Sequence, residues 1–167
     1  RDLLQLLGML DKEGAITEHG KAARDLGIHP RLANMVLHGR ALGLGATAAE
    51  LAALLDERDL LGANSGADLH ERLRVLHGEY QPARLDTARL NSIRQVAKRL
   101  MSKADAPAQL ASASETGRLL ALAYPDRIAQ RRADQSARYQ LSNGKGATLR
   151  ADDSLVRHAW LVAADLD

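Results

Sequence analysis

TEHGKAARDLGIHPRLANMVLHGRAL, residues 17 to 42, decides the fold class. Thr17 carries the side-chain oxygen that an N-cap needs to accept from a backbone N–H at a helix start, so TEHGKAARDL reads as a helix. Gly27 ends it. Pro30 suits the first turn of the next helix, HPRLANMVLHGRAL, because the N–H it lacks is one that a helix start leaves unbonded anyway. Two helices separated by a Gly and a Pro point to a helical body.

The same pattern extends in both directions. Upstream, Leu3, Leu4, Leu6, Leu7 and Leu10 mark an amphipathic helix that stops near Gly14. Downstream, Gly43 and Gly45 interrupt the pattern, and TAAELAALLDERDL forms a helix with Thr47 as N-cap and Glu50 three residues on, a capping box. LGANSGAD reads as a loop, Asp68 caps DLHERLRVLHGEY, and QPAR separates that helix from a basic one running from about Asp86 to Lys103. ADAPAQLASASE is low in complexity and reads as a linker, and ETGRLLALAYPDR is a last helix closed by Pro125. Beyond it, RYQLSNGKGATL has two extended runs around Asn143-Gly144, the dipeptide of tight type I′ hairpins. HAWLVAADL alternates Trp160, Val162, Ala164 and Leu166 on one face, a half-buried strand. The expected fold class is mainly α: a helical bundle followed by a small, incomplete β unit.

Composition agrees. Of the 167 residues 46% are hydrophobic, yet there is no Phe, one Trp and three Tyr, so Leu, Ala, Val and Ile must build the core. The absence of Cys excludes disulfides and cysteinyl metal sites and fits a reducing compartment. No apolar run approaches the ~20 residues that span a bilayer, and no signal peptide is visible, so no membrane partner and a cytoplasmic location are expected. The chain starts at Arg1, inside an apolar-periodic segment, which suggests a piece of a longer protein.

Net charge is only +2, but it is unevenly spread. Residues 1–60 hold seven Lys/Arg against nine Asp/Glu, whereas residues 84–103 hold Arg84, Arg89, Arg94, Lys98, Arg99 and Lys103 against Asp86 alone. Residues 127–145 hold Arg127, Arg131, Arg132, Arg138 and Lys145 against Asp134. Local clusters of this kind make an electrostatic footprint for a polyanion, and Arg131, Arg132 and Lys145 join the candidate contacts on that ground.

Other chemistry is poorly served. Asp56 and Glu57 in LLDERDL end a helix, whereas the acidic pair of an NTPase ends a buried strand and works with a phosphate-binding loop, and GxxxxGK[ST] occurs nowhere. Asp56, Glu57, Arg58 and Asp59 are expected to be a solvated helix end. NGKG at 143–146 lacks the following helix that would let backbone amides cradle phosphate. His70 and His77 are seven residues apart on one helix, about 10 Å along its axis, too far to share an ion. His19, His29, His38 and His158 are scattered and expected at the surface or as caps. No catalytic residue, metal ligand or cofactor site is assigned.

The basic helix remains. At about 100° per residue, Leu90, Ile93, Val96, Ala97, Leu100 and Met101 fall in one arc of roughly 140°, a core-facing stripe. Asn91, Arg94, Lys98 and Ser102 lie together on one flank, and Ser92, Gln95 and Arg99 on the other. Cations and amides at i, i+4 spacing can follow the phosphates and base edges of a single strand. The plainer alternative is a solvated helix whose cations serve solubility. Few aromatics are available for a stacking platform.

Two stretches resemble a known family. LLGMLDKEGAITEHGKAARDLGIHPRLANMVLHG is similar to the helicase-associated region of DEAH/RHA-type helicases at Leu7-Gly8, Leu10-Asp11, Gly14, Ile16-Thr17, Gly20-Lys21, His29-Pro30-Arg31-Leu32-Ala33 and Met35. AYPDRIAQRR, RYQLSNGKGATL and WLVAADLD resemble the C-terminal part of the bacterial HrpB-type helicases. The resemblance implies a winged-helix tail over residues 1–30, a helical ratchet domain over 31–116 and the start of an OB-like unit over 117–167. It implies that ATP and Mg belong to motor domains upstream, that those domains and a single strand, RNA rather than DNA, are the partners, and that this segment hydrolyses no ATP alone. SIRQVAKRLM is similar to the family's Ile-Arg-x-Gln-Leu stretch on the ratchet helix. Only Arg94 is a motif match, with Val96 and Ala97 in place of the Gln-Leu pair; Lys98, Arg99 and Lys103 come from the helical wheel. A module that recruits a protein regulator of the motor is the alternative.

Overall fold

The computed structural model describes residues 1–62, 65–104, 112–133 and 137–165; the side chains of residues 102–104 and 113 lie outside that description. Among the described residues, seven α-helices precede a four-stranded antiparallel sheet. The expected fold class, a mainly helical body followed by a small β unit, is what forms.

The opening helix is shorter than its leucine pattern. α1 spans Asp2–Leu6, because Gly8 turns the chain at φ 68° and Leu10 then pairs with Ile16 across a narrow hairpin. Thr17 caps α2, Glu18–Leu26: its Oγ1 accepts from the Gly20 N–H at 3.0 Å and donates to the Gly8 carbonyl at 2.8 Å. Gly20 is required by proximity, since a Cβ there would run into the Met9 carbonyl. α3 is Pro30–Ala41, with His29 as its cap through Nδ1, which accepts from the Arg31 N–H.

The capping box at Thr47 and Glu50 does not form. α4 begins two residues earlier and spans Gly45–Asp56, so both side chains fall inside the helix, 1% and 7% exposed, and no side chain caps it. Glu50 Oε2 instead lies 2.9 Å from His77 Nε2. α5 spans Leu69–Leu76 under the expected Asp68 cap but stops short of Tyr80, at Gly78 with φ 76°. α6 spans Thr87–Ala104. A capping box closes the start of α7, Ala113–Ala123, where Ser112 and Glu115 satisfy each other's backbone N–H. Residues 105–111 of the expected linker lie outside the described residues.

One apolar core runs from Leu7 to Tyr124, with Met35, Val36, Leu51, Leu73, Ile93, Leu100 and Leu119 fully enclosed. α4 is its axis, buried from Gly45 to Leu54 and packed between α3 and α6. An all-round buried helix needs small residues, which accounts for the Ala-rich α4 between leucine-rich neighbours.

The sheet comprises β1 Ile128–Arg131, β2 Arg138–Leu141, β3 Gly146–Thr148 and β4 Trp160–Val162, in the order β3-β2-β1-β4. The hairpin at Asn143-Gly144 forms, but not as a two-residue type I′ turn. Gln140 pairs with Gly146, the Gly144 N–H reaches the Leu141 carbonyl and Gly144 takes φ 86°, a three-residue loop of a type I turn plus a left-handed glycine. β4 is buried on neither face alone. Val162 and Ala164 pack on the helical core, Leu161 and Ala163 pack on the sheet's own core of Ala129, Tyr139 and Leu141, and Trp160 is exposed. Leu166 lies outside the described residues.

Two clamps join body and sheet. The Arg31 guanidinium grips Asp126 with two bonds, 2.5 and 2.9 Å, donates to the Ala123 carbonyl at 3.1 Å and lies over the Tyr124 ring. Asp153, buried, accepts from the Ala67 N–H at 2.7 Å and the Leu155 N–H at 2.9 Å, tying the loop between α4 and α5 to the loop before β4.

Candidate nucleic-acid interface

α6 is long because its backbone is self-sufficient and its stripe is continuous. Leu90, Ile93, Ala97 and Leu100 are buried, and Val96 and Met101 half-buried, against α4. Asp86 starts it by accepting from the Arg89 N–H at 2.9 Å. That stripe leaves Asn91, Arg94 and Lys98 exposed on one flank and Ser92, Gln95 and Arg99 exposed on the other, as the wheel requires. Ser102 and Lys103 belong to the same helix, with side chains outside the described residues.

Arg94 has a more definite environment than the wheel indicates. Its Nη2 and Nε donate to the Leu76 carbonyl at 2.8 and 3.3 Å, so the guanidinium lies across the C-terminal end of α5. Helix C-termini carry unbonded carbonyls and partial negative charge, which holds a cation there. A carbonyl is neutral, so this contact orients the guanidinium without cancelling its charge. Beside it opens a cavity of about 200 Å³ lined by Glu50, Leu76, His77, Arg94, Ala97 and Met101. The charge at the other end of α6 is offset: Arg89 lies 3.5 Å from Asp86 and donates to the Asp59 carbonyl, and Ser92 donates to Glu57.

The second basic cluster is divided. Arg127 donates to the Ala164 carbonyl at 2.8 Å and stacks on Tyr124, and Arg131, half-buried on the side of Tyr139, donates to the Val156 carbonyl at 2.9 Å. Arg132 is on the opposite face, exposed, with Nη2 3.0 Å from Gln140 Oε1. Lys145 is exposed in the hairpin loop. The candidate residues therefore form two separate groups, one on α6 and one on the sheet.

Asp56, Glu57, Arg58 and Asp59 are exposed, as expected of a solvated helix end, but Asp59 also has a fixed partner. Arg72 is buried and binds Asp59 through two nitrogens at 3.1 and 2.8 Å, Ser65 Oγ at 2.6 Å, and the carbonyls of Gly66 and Asp68. Asp59 is thus exposed yet tethered. Partial burial would raise its carboxyl, but the Arg72 hydrogen bond and charge and the Leu61 N–H outweigh this and hold it below the usual range. The Arg31 hydrogen bond likewise holds Asp126 down. His19 lies 2.7 Å from Asn34 Oδ1 and its ring meets that of His38, whose imidazole is lowered first by burial and then by His19. The pairs Arg72–Asp59, His19–Asn34 and Arg31–Asp126 lie 13, 15 and 95 positions apart, distances at which no local spacing signals them.

No protein-family model matches the chain. It is 38% identical over 161 residues to the ATP-dependent RNA helicase HrpB of Escherichia coli K12, an alignment that takes in 96% of this chain and 18% of that protein. Similar solved structures include one of the E. coli DExH-box NTPase HrpB (TM-score 0.74, 37% identity) and one of the Escherichia coli DEAH/RHA helicase HrpB (TM-score 0.72, 36% identity). Each covers 97% of this chain and 18% of the solved one, so the chain spans under a fifth of the length of these relatives. The resemblance noted in the sequence extends through the whole described fold. Among the described residues no helix is long and apolar enough to cross a membrane.

Proposed function

From the premise that this chain is similar throughout to the C-terminal region of HrpB helicases, we propose that it is an accessory region of an ATP-dependent helicase that guides the single strand leaving the motor domains. The strand is RNA rather than DNA, and the motor domains, with their ATP and Mg, are the neighbouring partners. Residues 1–30 then act as a winged-helix tail, 31–116 as the ratchet and 117–167 as the start of an OB-like unit. The chain makes and breaks no bond; it is a wall along which the strand slides.

The observation that carries this proposal is the flank of α6. Asn91, Arg94 and Lys98 stand exposed one turn apart behind a buried stripe, and Arg94 is oriented by a neutral acceptor that leaves its charge available. Positions four residues apart on a helix are about 6 Å from each other, close to the phosphate spacing of an extended strand. Photo-crosslinking a 12-nucleotide single strand carrying 4-thiouridine, followed by peptide mapping, tests it. Crosslinks should concentrate in residues 91–103; a map that spares α6 while marking other segments would remove the helix from the path.

A further inference from the structure

The sheet has two unlike faces. One holds its small core of Ala129, Tyr139 and Leu141. Across the other, the register sets Trp160, Gln130, Gln140 and Gly146 in a single row. The next row has Arg138 opposite Thr148, and Arg132 joins it through its N–H to the Arg138 carbonyl at 3.0 Å. Gln130, Arg132, Arg138, Gln140 and Thr148 are exposed, and Trp160 is 61% exposed. The opposite end of this face, Ile128 and Val162, is half-buried, with Val162 against the helical core, so only the outer half is open.

That outer half has a definite chemistry. No strand residue on it is acidic. Gln140 accepts from Arg132 through Oε1 and donates through Nε2 to the Gly144 carbonyl at 2.7 Å, which holds the Arg132 guanidinium over the sheet without neutralising it. The exposed indole, on β4 at the other edge of the sheet from Gly146, near which Arg132 Nη2 lies, is the chain's single tryptophan. An aromatic plane at one edge of a flat sheet, with an oriented guanidinium and amides across the rest of the face, is complementary to an unpaired base and to a phosphate farther along the same strand.

We propose that this face holds a single-stranded nucleic acid by stacking one unpaired base on the Trp160 indole, with Arg132 meeting a phosphate farther along the strand. It is a second contact, separate from α6, and it rests on the same strand-binding proposal. Stacking tolerates any base, so the contact grips without reading sequence.

Because there is one tryptophan, its emission reports this face directly. Titrating the 167-residue chain with the homopolymer U12 should quench that emission saturably, and added salt should weaken the effect. Trp160→Ala should weaken U12 binding, followed by anisotropy of labelled U12, about fivefold or more, and Trp160→Phe should recover part of the loss. Unchanged emission while labelled U12 binds overturns the proposal and leaves α6 intact. Quenching that persists unweakened in Lys98→Ala sustains this face and removes α6 instead. Emission that changes with protein concentration and not with U12 also overturns it, marking the face as a contact between copies of the chain.

Discussion

The two basic stretches of the chain, 84–103 and 127–145, carry similar numbers of cations and use them differently. On α6, Lys98 is displayed from a helix whose apolar stripe is buried behind it, and Arg94, though exposed, is tethered to the Leu76 carbonyl at the end of α5. After α7, Arg127 and Arg131 turn to the carbonyls of Ala164 and Val156. Short strands and 3-10 turns leave carbonyls that no ladder reaches, and buried carbonyls need donors. A long helix makes no such demand at its centre. Whether a cation is displayed or occupied is therefore set by the backbone around it more than by the count of charges.

That contrast can be broken first at its most occupied cation. Arg31→Ala should lower unfolding stability by about 3 kcal/mol, because it leaves Asp126 and the Ala123 carbonyl without their donor at the joint between body and sheet. Urea unfolding measures it, and a loss under ~1 kcal/mol would mean the clamp is dispensable. Arg131→Ala should cost about 1 kcal/mol, because the Val156 carbonyl loses the nearer of its two donors and keeps only the Tyr139 hydroxyl. Lys98→Ala, by contrast, should stay within about 0.5 kcal/mol of the parent chain. Equal losses at Arg131 and Lys98 would erase the distinction between the two stretches.

Acid sharpens the same contrast. The Asp126 carboxyl is held below its ordinary value by the Arg31 hydrogen bond, so its contribution is present above the unfolded-state value and disappears as pH falls through the lower folded one. The stability gap between the parent chain and Asp126→Asn should hold from neutrality to about pH 4 and close below it. A gap that instead closes between pH 7 and 5 would assign the effect to another group.

Much of the helical body is legible in the sequence because its signals are local. Thr17 and Asp68 act as caps, and the α6 stripe faces the core, buried at Leu90, Ile93, Ala97 and Leu100 and half-buried at Val96 and Met101. The failures have nonlocal causes. Thr47 and Glu50 have capping-box spacing, yet tertiary packing starts α4 earlier and engages Glu50 with His77, 27 residues away. The real capping box, Ser112 with Glu115, sits in an Ala/Ser-rich stretch that resembles a linker. β1 is four residues, IAQR, too short and too weakly apolar to be recognised without its neighbours on both sides. In the candidate interface the exposure of Asn91, Arg94 and Lys98 follows from periodicity alone. The tether of Arg94 to Leu76 and the inward turn of Arg131 depend on carbonyls whose positions only the fold determines.

The smallest stability effect belongs to the variant that tests most directly whether α6 presents a cation to a strand. Lys98→Ala is expected to be silent in unfolding, so any change in binding belongs to the surface. Affinity for U12 followed by anisotropy across a salt series gives the slope of log K against log salt, about −0.7 per neutralised phosphate on a single strand. Lys98→Ala should bind more weakly, with a slope shallower by about 0.7. Identical affinity and identical slope in the two proteins would contradict it.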